Sequence, residues 1–208
     1  MKGLVITHGT ICDINFYRGM DYDICVCADG GIEYARKLNI IPDLIIGDFD
    51  SCNRDLLDEF IEKGVKVQKF PVEKDFTDTQ LAVDAAVDMG CDEITIIGGI
   101  GYRLDHTIAN IHILVDLVRR NIQGRIVDEH NEIFIIKGEK RIQEKPGCII
   151  SLIPFGGRAE GLKSKGLYYP LPDFMDIYKP CGVSNVFTEE EAWIAVKKGM
   201  LLAIVARD

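Results

Sequence analysis

Four short apolar runs in the first half of the chain each break into an acidic or glycine-rich cluster, and a helical pattern follows each cluster. Ile24–Ala28 opens into Asp29-Gly30-Gly31, and the run 44–46 opens into Gly47-Asp48-Phe49-Asp50-Ser51. The run 65–68 leads through Pro71 to Lys74-Asp75-Phe76-Thr77-Asp78. The run 94–97 opens into Gly98-Gly99-Ile100-Gly101-Tyr102-Arg103-Leu104-Asp105-His106. Strand, loop and helix in this repeated order predict a parallel sheet covered by helices. Loops at the carboxyl ends of such strands lie side by side and form the ligand crevice. The four clusters therefore converge on one site, whose carboxylates and glycines suit a divalent cation and a polyphosphate.

Helices are expected over residues 31–39, 53–63, 77–89 and 105–120. The third carries Leu81, Ala82, Ala85, Ala86 and Met89 on one face, Asp84 and Asp88 on the other, and Gly90 as a stop. The fourth carries Ile108, Ile111, Val115 and Val118 as a stripe, with Arg119 and Arg120 in a last turn where cations suit the dipole. Around residues 121–124 the texture changes. Short β-like runs at 125–128, 132–136, 148–153, 193–196 and 201–205 recur between turn signals. Lys137-Gly138-Glu139-Lys140 and Lys197-Lys198-Gly199 read as hairpin turns. Strands without intervening helices indicate a sandwich or barrel. The expectation is an α/β domain over 1–121 and an all-β domain over 122–208, with Trp193 in its core.

A formal net charge of -9 argues against nucleic acid as a partner, since such binding needs a basic footprint. It also opposes an anionic substrate unless a bound cation intervenes. No apolar run approaches the ~20 residues of a spanning helix. The apolar part of the N-terminus is too short for a signal peptide. Seven cysteines, with no C-x-x-C pair, argue against a zinc site or a disulfide framework. A cytoplasmic protein with reduced thiols and no membrane contact is expected.

Each motif has a chemical and a plainer reading. In an extended loop Asp48 and Asp50 point the same way and can grip one hard cation; the same residues suit a solvated turn with a helix cap at Ser51 or Asn53. Asp75 and Asp78 flank a helix start that Thr77 can cap, where carboxylates are also common because of the dipole. Lys74 meets a phosphate or pairs with Asp75. Gly98-Gly99-x-Gly101 lets backbone N–H groups approach an anion, yet fits neither a Walker loop nor a dinucleotide fingerprint. Arg103 can neutralise phosphate oxygens, Asp105 can bind metal or accept a proton, and His106 is a base or a structural residue. Tyr168 and Tyr169 stack on a flat ligand or pack as a rim. Gly182-Val183-Ser184-Asn185 offers hydrogen bonds to a heterocycle or forms a turn. His8, His112 and His130 carry no resolvable signal.

Taken in order, Ala28-Asp29-Gly30-Gly31, Gly47-Asp48-Phe49-Asp50-Ser51, Lys74-Asp75-x-Thr77-Asp78, Arg103-x-Asp105-His106, Ser151-Leu152-Ile153-Pro154, Gly166-Leu167-x-Tyr169-Pro170-Leu171 and Gly182-x-Ser184-Asn185 resemble the thiamine pyrophosphokinase family. The resemblance spans nearly the whole chain. It implies an ATP-binding α/β domain, a thiamine-binding β-sandwich, and a homodimer with active sites between subunits. The implied reaction moves the pyrophosphoryl group of ATP to the hydroxyl of thiamine, releasing AMP. It implies Mg²⁺ on Asp48, Asp50 and Asp78, with Asp105 near the attacking hydroxyl. Nucleotide contacts are implied for Asp29, Gly30, Gly31, Ser51, Lys74, Asp75, Thr77, Arg103 and His106. Thiamine contacts are implied for Leu167, Tyr169, Ser184 and Asn185. The resemblance departs at Tyr102, where relatives often carry Gly, and at Tyr169, where some carry Trp. A pterin pyrophosphokinase, a glycosyltransferase using a nucleotide sugar and a non-catalytic nucleotide sensor are the competing readings.

Overall fold

The computed structural model describes residues 1–50, 52–71, 73, 75–179 and 181–207. They divide into two units, Met1–Glu129 and His130–Asp208. In the first, six strands form one parallel array: β1 (Lys2–Ile6), β2 (Ile24–Ala28), β3 (Leu44–Gly47), β4 (Lys66–Lys69), β5 (Glu93–Ile97) and β6 (Gln123–Val127). Their spatial order is β4-β3-β2-β1-β5-β6, and every pairing is parallel. Strands β1 to β4 are laid down in one direction and β5 to β6 in the other, so the order reverses between β1 and β5. The run 125–128, expected to open the all-β domain, instead lies in β6, which pairs with β5 residue for residue. The α/β unit therefore runs to Glu129, beyond the boundary expected at residue 121.

Four helices follow the strand ends: α1 (Ile32–Leu38), α2 (Arg54–Glu62), α3 (Asp78–Asp88) and α4 (Leu104–Arg119). Short side chains set the starts of two of them. Asn53 accepts the Leu56 N–H at 3.2 Å and caps α2; Thr77 accepts the Gln80 N–H at 3.2 Å and caps α3. Gly90, at φ +97°, stops α3. Two faces differ from the expected ones. In α4 the buried residues are Thr107, Asn110, Ile113, Leu114 and Leu117, while Ile108 is half exposed. In α3 they are Thr79, Ala82, Val83 and Ala86, while Met89 lies largely outside.

The second unit is all-β: β7 (Asn131–Gln143), β8 (Cys148–Pro154), β9 (Ala159–Glu160), β10 (Lys163–Lys165), β11 (Phe174–Met175) and β12 (Glu191–Arg207). Neither expected hairpin exists. Lys137-Gly138 lies inside β7 and Lys197-Lys198-Gly199 inside β12, and the two strands pair along their length. Between them sits a bulge in which four residues, 197–200, stand opposite the single Lys137. Gly138 and Gly199 supply its positive φ values of +82° and +87°. Beyond the bulge β12 pairs with β8, and before it with β10, as strands do at a sandwich corner. One core results, holding Phe134, Ile136, Ile150, Leu152, Ala192, Ile194, Leu201 and Ala203. Each fully buried aliphatic chain contributes about 1.5–3 kcal/mol. Trp193 is not among them. It alternates to the outer face, half buried, and its Nε1–H donates to Glu139 at 3.2 Å.

Candidate functional site

The reversal between β1 and β5 places two loops side by side, as expected of a ligand crevice. The Thr7 N–H donates to Ile97 O at 3.0 Å, Gly9 N–H to Gly98 O at 2.8 Å, and Thr10 N–H to Ile100 O at 2.7 Å. The Thr7 hydroxyl adds a bond to Gly98 O at 3.0 Å. This approach demands glycine: a Cβ on Gly9 would lie 2.2 Å from Gly98 O and 2.4 Å from Ile100 O. From α4, Asn110 Nδ2–H donates to Gly99 O at 2.8 Å and Thr107 Oγ1 accepts the Gly101 N–H at 3.2 Å. The polar residues on the buried face of α4 thus brace the glycine loop. The Tyr34 hydroxyl reaches across from α1 to Gly9 O at 2.7 Å. Together these groups wall a cleft of about 640 Å³.

Of the expected site residues, Asp29, Thr77, Asp78, Arg103 and His106 line this cleft. The starts of α3 and α4 bring Asp78 and Arg103 to it, and helix N-termini favour anions. Gly30 and Gly31 lie beneath: a Cβ on Gly31 would meet Ile6 O at 2.2 Å, and one on Gly30 would meet His8 Nδ1 at 2.4 Å. Among the described residues Asp48, Asp50, Asp75 and Asp105 stand outside the cleft wall. The 48–50 loop is a tight turn rather than the expected extended segment. Phe49 has φ +61° and is buried in the α/β core, and Asp48 Oδ1 accepts the Asp50 N–H at 3.0 Å. Asp48 still follows Gly47, whose added Cβ would lie 3.2 Å from Asp29 Oδ1. Arg103 holds Asp105 with two bonds, Nη2–H to Oδ2 at 2.6 Å and Nε–H to Oδ1 at 3.3 Å. That bond holds the Asp105 carboxyl below its usual range.

In the second unit Tyr168 and Tyr169 pack edge to face at 4.8 Å, and both rings stand largely exposed. Asn185, 2% exposed, clamps the backbone there. Its Oδ1 accepts the N–H groups of Tyr169 at 3.0 Å and Val186 at 2.9 Å, and its Nδ2–H donates to Tyr169 O at 2.6 Å. Ser184, at φ +56°, is exposed, and its N–H donates to Ser151 Oγ at 3.1 Å. Leu167 is buried and bridges to Phe187.

Residues 20–126 match the model of the thiamin pyrophosphokinase catalytic domain, and residues 135–201 match that of the thiamin pyrophosphokinase vitamin B1 binding domain. The thiamine pyrophosphokinase of Bacillus subtilis is 30% identical over 191 residues, covering 90% of this chain and 89% of that one. The chain belongs to the thiamin pyrophosphokinase family. Solved thiamin pyrophosphokinase structures agree. The Bacillus subtilis structure superposes with a TM-score of 0.90 at 28% identity over the whole of both chains. The Geobacillus thermodenitrificans structure gives 0.86 at 26% identity, over all of this chain and 98% of that one.

In this member of the family, five of the expected site residues line the cleft, and two further features differ from expectation. Asn185 spends its amide on the Tyr169 backbone rather than presenting it outward. The first wall of the cleft, residues 7–11, comes from a loop in which His8 gave no readable signal; only its place after the first strand could have marked it. Ser51 and Lys74 lie outside the described residues. Among the described residues no three His, Cys, Asp or Glu side chains form a ready-made metal cluster. The donor chemistry of the expected set still suits Mg²⁺: Asp48, Asp50 and Asp78 offer hard carboxylate oxygens, the first two just after β3 and the third at the start of α3. No helix among the described residues is long and apolar enough to cross a membrane.

Proposed function

We propose that the protein transfers the β,γ-pyrophosphoryl group of ATP to the hydroxyl of thiamine, giving thiamine diphosphate and AMP. The observation that carries this is the braced pair of glycine loops between β1 and β5, under two helix N-termini, in a chain that matches both family domains. The glycines of the 98–101 loop let backbone approach phosphate oxygens, and Gly9 lets the neighbouring loop pack against it. Asp48, Asp50 and Asp78 would hold Mg²⁺, which neutralises phosphate charge when bound. That answers the electrostatic problem of an acidic protein with an anionic substrate.

Phosphoryl transfer depends mainly on positioning and charge neutralisation, and this chain's residues divide accordingly. Asp29, Gly30, Gly31, Asp75, Thr77 and His106, with Ser51 and Lys74, belong to the nucleotide side. Arg103 is held by Asp105; a phosphate oxygen that takes the guanidinium leaves the Asp105 carboxylate to accept the hydroxyl proton. On the thiamine side, Tyr169 stacks on the rings, Leu167 and Ser184 contact the ligand, and Asn185 sets the Tyr169 backbone. Tyr102 is 98% exposed at the cleft rim.

The working unit is a homodimer with sites between subunits. Tyr168, Tyr169, Phe174, Ile177, Tyr178 and Val183 are each half exposed or more, and exposed apolar surface of this kind marks an interface or ligand groove. A monomer mass by light scattering would refute the dimer. Seven free cysteines support a reducing, cytoplasmic setting.

The test is one incubation with ATP, Mg²⁺ and thiamine, following AMP and thiamine diphosphate by chromatography. Equal amounts of both, absent without thiamine or metal, are expected. ADP with thiamine monophosphate, or nucleotide binding without product, refutes the reading.

A further inference from the structure

Two residues beyond β6 lies Glu129, which no motif singles out. Its Oε1 accepts the N–H groups of both Cys12 and Asp13, each at 2.7 Å. Those residues end the loop whose earlier part, residues 7–11, is the first wall of the cleft. The loop is held near its start by the ladder to β5 and by the Tyr34 hydroxyl at Gly9. Past Thr10 the Glu129 carboxylate takes the N–H groups of Cys12 and Asp13. Asp13, so fixed, caps the following turn, Ile14–Tyr17, by accepting the Asn15 N–H at 2.9 Å. Burial opposes the charge on Glu129, yet the N–H groups of Asp13 and Cys12 and the neighbouring Tyr17 phenol outweigh it and lower its pKa. The carboxylate is therefore charged at neutral pH.

A negative charge beside an anion site does not help bind the anion, so an electrostatic contribution to phosphate binding is the wrong role. We propose that Glu129 is a positioning residue for the nucleotide: it fixes the 7–13 loop as a rigid wall of the cleft and thereby sets nucleotide affinity, without acting on the transfer step. This rests on reading the cleft as the nucleotide site. Both backbone bonds end on one oxygen, so a glutamine in the same rotamer keeps them while removing the charge.

The test compares wild type, Glu129→Ala and Glu129→Gln in the full chain. It measures kcat, both KM values, and the Kd of a non-hydrolysable MgATP analogue by calorimetry. Glu129→Ala should raise the nucleotide KM and Kd about 10-fold, the scale of one to two hydrogen bonds. Its kcat and thiamine KM should stay within about 2-fold on the same scale, and Glu129→Gln should restore the nucleotide Kd. An unchanged nucleotide Kd in Glu129→Ala overturns the proposal. So does a uniform loss in kcat and both KM values, or a glutamine variant as weak as alanine. Should Glu129→Ala not fold, Tyr34→Phe removes the anchor at Gly9 and reads the same loop; an unchanged nucleotide Kd there is equally fatal. If wild type binds the analogue but makes no thiamine diphosphate, the reaction assignment fails while the Kd ratios still decide the role of Glu129.

Discussion

Replacing Asn185 by alanine removes three hydrogen bonds at once, two accepted by Oδ1 and one donated by Nδ2. The side chain is 2% exposed, so water does not readily replace it. Each lost bond between neutral groups costs about 1 kcal/mol net, and more where a buried partner stays unpaired. Tyr169 and Val186 are themselves exposed, which keeps the total near 3 kcal/mol. With a urea slope of about 1.5 kcal/mol/M, the midpoint of the second unit should fall by roughly 2 M. Trp193, the one tryptophan in the chain, lies on β12 and reports that unit by fluorescence. Asn185→Asp separates the roles. It keeps an acceptor for both N–H groups but sets a second oxygen against Tyr169 O, so it should be at least as damaging at pH 7 and recover as acid protonates the new carboxyl. Because the clamp fixes Tyr169, both variants should also raise the thiamine KM. A loss below about 1 kcal/mol in Asn185→Ala, smaller than a single bond, would show that the clamp does not hold the loop.

Three further outcomes can be measured. Asp48→Asn or Asp50→Asn should lower turnover at least ~100-fold, the scale of losing one preorganised charge contact; near-normal turnover at limiting Mg²⁺ removes them from the metal site. Gly9→Ala forces a Cβ against two backbone oxygens, 2.2 and 2.4 Å away. It should cost more than the ~1–3 kcal/mol typical of overpacking and abolish nucleotide binding; full nucleotide binding by calorimetry contradicts the loop packing. The Glu129 pKa is lowered from its ordinary 4.5, so its contribution is present above that pH and lost as pH falls through the folded value. The urea midpoints of wild type and Glu129→Gln should accordingly converge as pH drops below about 4.5, and a constant gap from pH 7 to 3.5 counts against the sign.

Local signals in the sequence were legible where the cause is local. All four helices begin and end within two residues of expectation, and for α2 and α3 the cause is local, since Asn53, Thr77 and Gly90 act on their own turns. Signals that depend on distant partners were not. The run in β6 reads like any short strand, and only its pairing with β5 assigns it to the parallel array. Gly138 at positive φ serves a bulge as readily as a hairpin, so composition alone does not distinguish them. The buried face of α4 is rotated from the apolar stripe 108, 111, 115 and 118 because Thr107 and Asn110 turn inward to brace the glycine loop. At the site, the same principle holds. The acidic and glycine clusters announce themselves, whereas the 7–13 loop acquires its meaning from β5, Tyr34 and Glu129, all far away in sequence.

The bulge between β7 and β12 has a consequence for what lengths this chain can tolerate. Core residues of β12 fall on even positions before it (192, 194, 196) and odd positions after it (201, 203, 205), while β7 keeps even positions throughout at 134, 136 and 142. Side chains alternate with period two, so an odd surplus of residues in β12 is what points both of its halves inward. Adding or deleting one residue among 197–200 would turn half of the strand inside out, exposing one row of aliphatic chains and burying its polar neighbours. A change of two would leave the parity intact. Insertions at this corner are thus quantised in pairs, and comparing variants one and two residues longer would reveal a parity rule in folding yield rather than a gradual decline with length.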